Sequence, residues 1–334
     1  MKIEVLTVKK IKKKVGTKSY KKEIFLCLFI FFICFLFIKN SSKYLPVVLD
    51  GIILVGTKVL PSLLPFLFVT KLLSNFETLY IFCDKFKWFT KLLFNTPSIS
   101  IYIFFMSIIS GYPVGAKLTG EFYEKGLLSQ KDAQKILSFC STSGPLFIIG
   151  SVGIGFFHNQ KIGIFLLLSH ILSSILNGII YRGKRSPEID KKIELNSQLS
   201  LDDCMYNSIR SILVVSGFII IFYVLIQILI DYNILALPIK VFKLLGLTES
   251  ESTGFCAGLI EITKGTSILA NCNNTKIAFI LASFVISFSG LSVLIQSFAF
   301  LEKLRIKKSV FVLQKITHAL LSLGISYIFS LFIF

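Results

Sequence analysis

Ser110-Gly111-Tyr112-Pro113-Val114-Gly115-Ala116-Lys117 closes an apolar run, Ile99 to Ile109, that is too short to cross a bilayer. Two glycines and a proline break the helix, and a lysine follows at once. Membrane proteins use such broken apolar segments to open a polar site at depth. A second stretch, Thr253-Gly254-Phe255-Cys256-Ala257-Gly258, has the same pattern of hydroxyl, glycine, aromatic, two free positions and glycine. The breaks are therefore expected at Gly111, Pro113 and Gly115 in one half and at Gly254 and Gly258 in the other.

The surroundings fix the class. The chain has 334 residues, of which 54% are hydrophobic and 16% charged, with a mean hydropathy of +0.78. A soluble domain carries about 25% charged residues, and here the apolar excess lies in long runs. The longest are Ile24 to Ile38, Ile162 to Tyr181, Ile212 to Ile230, Ile277 to Leu301 and Phe311 to Phe334. Most approach or exceed the roughly 20 residues that span a hydrocarbon core. The expected fold is all-α: a polytopic membrane protein whose partner is the lipid bilayer.

The net charge of +18 suggests nucleic acid only until its distribution is read. The basic residues cluster at the ends of apolar runs, above all from Lys2 to Lys22, where they hold a segment on the cytoplasmic side. No nucleic-acid partner is expected. The seven cysteines form no C-x-x-C pair, so neither a disulfide framework nor a metal site is expected. His170 and His318 fall inside apolar runs, where an ionisable group is a functional candidate; without a carboxylate at helical spacing, they read as satisfied core residues. No P-loop, zincin motif or nucleophile–base pair is present. Neither an enzyme nor an ATP-driven pump is expected, and no cofactor.

The chain divides into a basic tail with a first transmembrane helix (1–44), a first repeat (45–181), a charged linker (182–204) and a second repeat (205–334). The halves match in order. SGYPVG at Ser110 to Gly115 pairs with TGFCAG at Thr253 to Gly258, and SFCSTSGP at Ser138 to Pro145 pairs with SFVISFSGL at Ser283 to Leu291, at an offset near 145 residues. If the glycine segments are re-entrant hairpins, each half crosses three times. The odd number inverts the second copy, a common transporter architecture, and the whole chain crosses seven times. The loop lysines and arginines place the N-terminus inside.

The polar residues at the interruptions are the candidate site. Ser141, Thr142, Ser143 and Gly144 form one group, and Ser289, Gly290 and Ser292 form its partner. Freed N–H groups there suit an anionic ligand. Lys117 would add a positive charge or snorkel to the interface. Glu261 would bind a ligand or ion, or satisfy freed N–H groups; Thr263 lies beside it, and Gln296 lies further along its span.

G-Y-P-V-G-A-K at Gly111 to Lys117, F-C-x-x-S-G-P-L-F-I-I-G-x-V-G at Phe139 to Gly153, G-F-x-x-G-L-x-E-I-T-x-G at Gly254 to Gly265 and F-x-G-L-S-V-x-x-Q at Phe288 to Gln296 together resemble the YlbJ-type sporulation integral membrane proteins. That family is similar to the nucleoside-recognition (Gate) group. The likeness covers about residues 45 to 330. Ser141 departs from it, standing where the family pattern leads one to expect asparagine. The resemblance implies a multi-pass protein of the outer forespore membrane that moves dipicolinic acid, a small planar dianion, out of the mother cell. Two alternatives stay open. One is transport of a nucleoside or another polar metabolite; the other is a non-transporting role in spore-envelope assembly. An oligomer is compatible with the sequence.

Overall fold

The computed structural model describes residues 17–73, 76, 81, 84–183, 200–304 and 306–334. The lysines of residues 1–16, Cys83, most of the charged linker (184–199) and Arg305, on which the charge reading draws, lie outside the described residues. The chain forms two compact units, one ending at Leu49 and the other running from Asp50 to Phe334. The first holds α1 (Thr17–Lys39) and most of α2 (Ser41–Leu54). From Ile24 to Ile38, α1 exposes Phe25, Phe31, Phe35 and Ile38.

The second unit repeats one order of elements. Its first half has α3 (Leu60–Leu73), which follows the π-helical turn Val55–Val59, then the short α4 (Lys87–Leu93). Next come α5 (Ile99–Ser110) and α6 (Val114–Glu124), then α7 (Gln130–Cys140) and the π-helical segment Leu146–Phe156, then the long α8 (Gln160–Ile180). The second half has α9 (Leu201–Asp231), the short α10 (Ala236–Leu244), the pair α11 (Glu249–Ile260) and α12 (Ile262–Ala270), the pair α13 (Thr275–Phe288) and α14 (Gly290–Phe300), and the long α15 (Lys308–Ile333). Each half therefore reads helix, short helix, hairpin, broken helix, long helix, with a 14-residue opening helix in the first half and a 31-residue one in the second. The spacing is also kept in the contacts. Asn177 Nδ2 donates to the Ser138 carbonyl, and Ser283 bonds Ser322; both pairs are 39 residues apart, and the second lies 145 residues after the first.

Among the described residues four helices are long and apolar enough to cross a membrane: Gln160–Ile180, Leu201–Asp231, Thr275–Phe300 and Lys308–Ile333. Counting the bent pair Glu23–Lys39 and Ser41–Val59 as one span makes five. The other two expected crossings, from Val59 and from Ile136, consist of shorter helices. These helices are apolar outside and polar inside. On α8 the buried face is Ile162, Leu166, Ser169, His170, Ser173 and Asn177, while Ile164, Leu168, Leu172 and Leu176 are exposed. On α15 the buried face includes Gln314, Lys315, His318, Ser322 and Ser326, while Leu313, Leu320, Ile328 and Phe332 are exposed. Lipid solvates the apolar stripe, and the protein interior must satisfy the polar one.

The breaks differ from expectation in the second half. Gly254 and Gly258 are helical, within α11, and the chain turns instead at Glu261, whose backbone is extended (φ −143°, ψ 121°). The two glycines serve close packing. A Cβ at Gly265 would overlap the Gly258 backbone, and one at Gly254 would meet Leu269 at 3.0 Å. These contacts fold α11 and α12 into an antiparallel hairpin with Glu261 at its tip. In the first half Gly111 (φ 74°) and Pro113 do break the chain, while Gly115 lies inside α6, where a Cβ would overlap the Cys140 carbonyl. Gly111 needs its positive φ and packs on the second break, since its Cβ would lie 2.5 Å from Gly144 N. Gly290 (φ 68°) does the same in the other half, packed against the Ile260 carbonyl. Each hairpin tip is thus pressed against the break of the broken helix in its own half.

Candidate functional site: a cavity between two hairpin tips

The tips of both hairpins meet at one cavity of about 50 Å³. Ser110, Gly111 and Tyr112 come from the first tip, Ser143, Gly144 and Phe147 from the first broken helix, and Glu261, Ile262 and Thr263 from the second tip. Val59, Leu63, Val215 and Ile219 add an apolar side. This volume suits a few water molecules, each of which needs about 10–15 Å³.

The two helix starts at the cavity are treated differently. Glu261 caps α12: its carboxylate accepts from Thr263 N at 2.9 Å, Thr263 Oγ1 at 2.8 Å and Lys264 N at 2.7 Å. A carboxylate there satisfies donors that the turn would orphan and complements the positive end of the helix. The segment Leu146–Phe156 starts after Pro145 with no side-chain cap. Ser110 is among the lining residues, and its hydroxyl is buried with no hydrogen-bond partner among the described residues.

Behind the cavity runs a buried polar network. The Ser143 N–H donates to His170 Nε2 at 2.8 Å. That nitrogen is therefore the acceptor, and in the neutral ring Nδ1 carries the proton toward Ser287 Oγ, also at 2.8 Å. His318 Nε2 bonds the His170 carbonyl at 3.1 Å, and the two rings lie 4.8 Å apart. The histidines are satisfied, as the sequence suggested, and they also brace the two broken helices. Lys315 is 1% exposed. Its Nζ donates to the Tyr112 hydroxyl at 2.9 Å and to the Ser141 carbonyl at 2.8 Å, and sits 4.7 Å from the Tyr112 ring centre. The Tyr112 hydroxyl in turn donates to the Ile286 carbonyl at 3.2 Å.

Of the sequence candidates, Ser143, Gly144, Glu261, Thr263 and Gly111 line the cavity. The others lie apart from its wall. Ser141 offers its carbonyl to Lys315, and the Thr142 hydroxyl donates to Ser107 Oγ at 3.1 Å. Ser289 is buried at the second break in a left-handed conformation, beside Gly290. Ser292 and Gln296 bond one another at 3.4 Å along α14. Lys117 lies one helical turn beyond its break, 3.9 Å from Glu121, in a separate cleft with Glu124, Glu302 and Lys303. Lys264 points to α9, over the Tyr223 ring at 3.8 Å. Sequence reasoning missed Ser110, Tyr112 and Lys315 as site residues. For Lys315 the signal was plain: a lysine inside the last apolar run.

No family model matches the chain, and no solved structure matches it. A curated relative does: the chain is 28% identical over 287 residues to the sporulation integral membrane protein YlbJ of Bacillus subtilis (strain 168), covering 77% of this chain and 70% of the relative. The chain is thus similar, over most of both chains, to a sporulation integral membrane protein, and its four to five apolar helices among the described residues fit a multi-pass integral membrane protein.

Proposed function

We propose that this chain is a sporulation membrane transporter that binds its cargo in the cavity between the two hairpin tips and moves it by alternating access. The observation that carries this reading is the convergence of both tips on one cavity, lined in part by Ser110, whose buried hydroxyl has no hydrogen-bond partner among the described residues. A scaffold has no need of two hairpins that end at a common point with freed backbone groups. On this reading the halves are inverted repeats, and the tips part in turn toward the two membrane faces.

The proposed cargo is dipicolinate, taken from the mother cell across the outer forespore membrane. The sporulation role of the relative supports the setting. The chemistry of the cavity supports an anion: the uncapped start of Leu146–Phe156 and the Ser110 hydroxyl are suited to carboxylate oxygens. Ligand pockets usually measure about 300–1,000 Å³, so the 50 Å³ cavity corresponds to a closed state that opens to admit cargo. The test is the dipicolinate content of forespores from a strain lacking the protein. A fall of tenfold or more is expected. Normal content beside an abnormal coat would replace transport by a role in envelope assembly.

A further inference from the structure

Lys315 is the most deeply buried basic side chain of the lysines and arginines among the described residues, and no ion pair with a carboxylate is seen for it there. An ammonium in such a place is costly unless something offsets its charge. The offset here is backbone. Ser141 is the residue at which α7 ends, and its carbonyl accepts directly from Nζ. Ile286 lies in the last turn of α13, and its carbonyl accepts from the Tyr112 hydroxyl that Nζ also bonds. The end of α7 thus meets Nζ directly, and the end of α13 meets it through the Tyr112 hydroxyl. Such ends carry partial negative charge, and the face of Tyr112 adds cation–π attraction. In broken-helix transporters, unwound carbonyls and half-helix C-terminal ends are what coordinate the coupling cation.

The repeat sharpens the point. His170 lies 145 residues before Lys315, the offset that also relates Ser138 to Ser283 and Asn177 to Ser322. His170 reaches across to Ser287 at the second break, and Lys315 reaches across to Ser141 at the first. Equivalent positions thus hold a neutral imidazole in one half and an ammonium in the other. The tethered cation is an addition to one copy of a shared frame.

We propose that the Lys315 side chain is a resident cation, held by the end of α7 and by Tyr112 on the end of α13, that it takes the part a coupling sodium ion plays in broken-helix transporters, and that transport by this chain is independent of sodium. The inference rests on the transport reading. It makes Lys315 a positioning residue: it fixes Tyr112 on the cavity wall and ties both breaks together.

The test uses the purified full chain in liposomes with radiolabelled dipicolinate. Exchange of external sodium for N-methylglucamine at constant ionic strength should change wild-type uptake by less than twofold. Lys315→Met should lose at least tenfold, and Lys315→Arg, which keeps the charge, should retain more uptake than Lys315→Met and stay independent of sodium. A wild-type rate that falls tenfold without sodium overturns the proposal, as does a folded Lys315→Met protein at the wild-type rate. If Lys315→Met does not fold, the sodium exchange on wild type and on Lys315→Arg decides. If the wild type takes up no dipicolinate in either medium, the transport reading fails, and thermal unfolding in detergent judges the seat. A midpoint equal in sodium and in N-methylglucamine supports a resident cation, and a midpoint raised by sodium overturns it.

Discussion

Glu261→Ala tests whether the carboxylate at the second tip holds the hairpin or serves the cargo. The side chain is 1% exposed and accepts three hydrogen bonds, two from backbone N–H groups and one from a hydroxyl. Loss of a helix cap costs about 1 kcal/mol. Orphaning buried donors costs about 1–3 kcal/mol more for each group, and charged acceptors lie at the upper end. These terms overlap, so Glu261→Ala should destabilise the protein by about 3–4 kcal/mol. Glu261→Gln keeps one carbonyl oxygen for Thr263 and turns an amide donor toward Lys264 N–H; about 1–2 kcal/mol should be lost. The assay is chemical unfolding in detergent micelles, followed by uptake on the same preparations at a temperature where both variants are folded. The expected order is wild type, Gln, Ala in stability. The reasoning is refuted by a Glu261→Ala protein that unfolds at the wild-type denaturant concentration and has lost uptake, because the carboxylate would then act on the cargo and not on α12.

Three further outcomes follow from the packing. His170→Ala removes the acceptor of Ser143 N–H and the partner of Ser287 and should cost about 2–3 kcal/mol, read as a lower thermal midpoint; a midpoint within 1 °C of wild type, a margin set by the roughly 2–4 °C that about 1 kcal/mol shifts a domain of 150–250 residues, would show that the network is not needed for stability. Gly265→Ala drives a methyl into the Gly258 backbone and should cost about 1–3 kcal/mol or abolish folding, with the yield of monodisperse protein after gel filtration as the measure. Lys117→Met should leave dipicolinate uptake within twofold of wild type, because Lys117 lines the cleft with Glu121 and Glu302 and not the tip cavity; a tenfold loss in folded protein would bring it back to the transport path.

The order of elements was legible because glycine, proline and serine mark where apolar runs are interrupted. Gly111 and Pro113 break the chain where the sequence says they should, and Ser289 and Gly290 do the same. The likeness of TGFCAG to SGYPVG misled on one point. Cys256 and Ala257 stand where the first copy has Pro113 and Val114, so no proline stops α11, which runs on to Glu261, whose carboxylate caps the next helix. Lys117 looked important because it follows the break, but one turn of helix carries it to another face. The partners of the network were not legible. Ser143 meets His170 from 27 residues away and Tyr112 meets Lys315 from 203, and only the packing of hairpin against long helix brings them together.

The two halves share a frame and differ in charge, and the differences are complementary. At the tips, the second half supplies its own anion, Glu261, at the start of α12, while the corresponding start of α6, after Pro113, has no side-chain cap. In the long helices, the first half holds His170 and the second holds Lys315. A perfectly symmetric duplication would present two equal helix starts to a ligand on the axis between the halves and two equal groups behind them. Here the α12 start is occupied by protein while the α6 start and the start of Leu146–Phe156 are uncapped; on the proposed reading an anionic cargo meets the first half, and Lys315 ties Ser141 to Tyr112 behind it. The Glu261 charge is offset by the three donors it accepts from, and the Lys315 charge by carbonyl ends, so neither has to be neutralised by the cargo. On the proposed reading, what then discriminates among cargoes is local: the first-half residues that line the cavity, Ser110, Gly111, Tyr112, Ser143, Gly144 and Phe147.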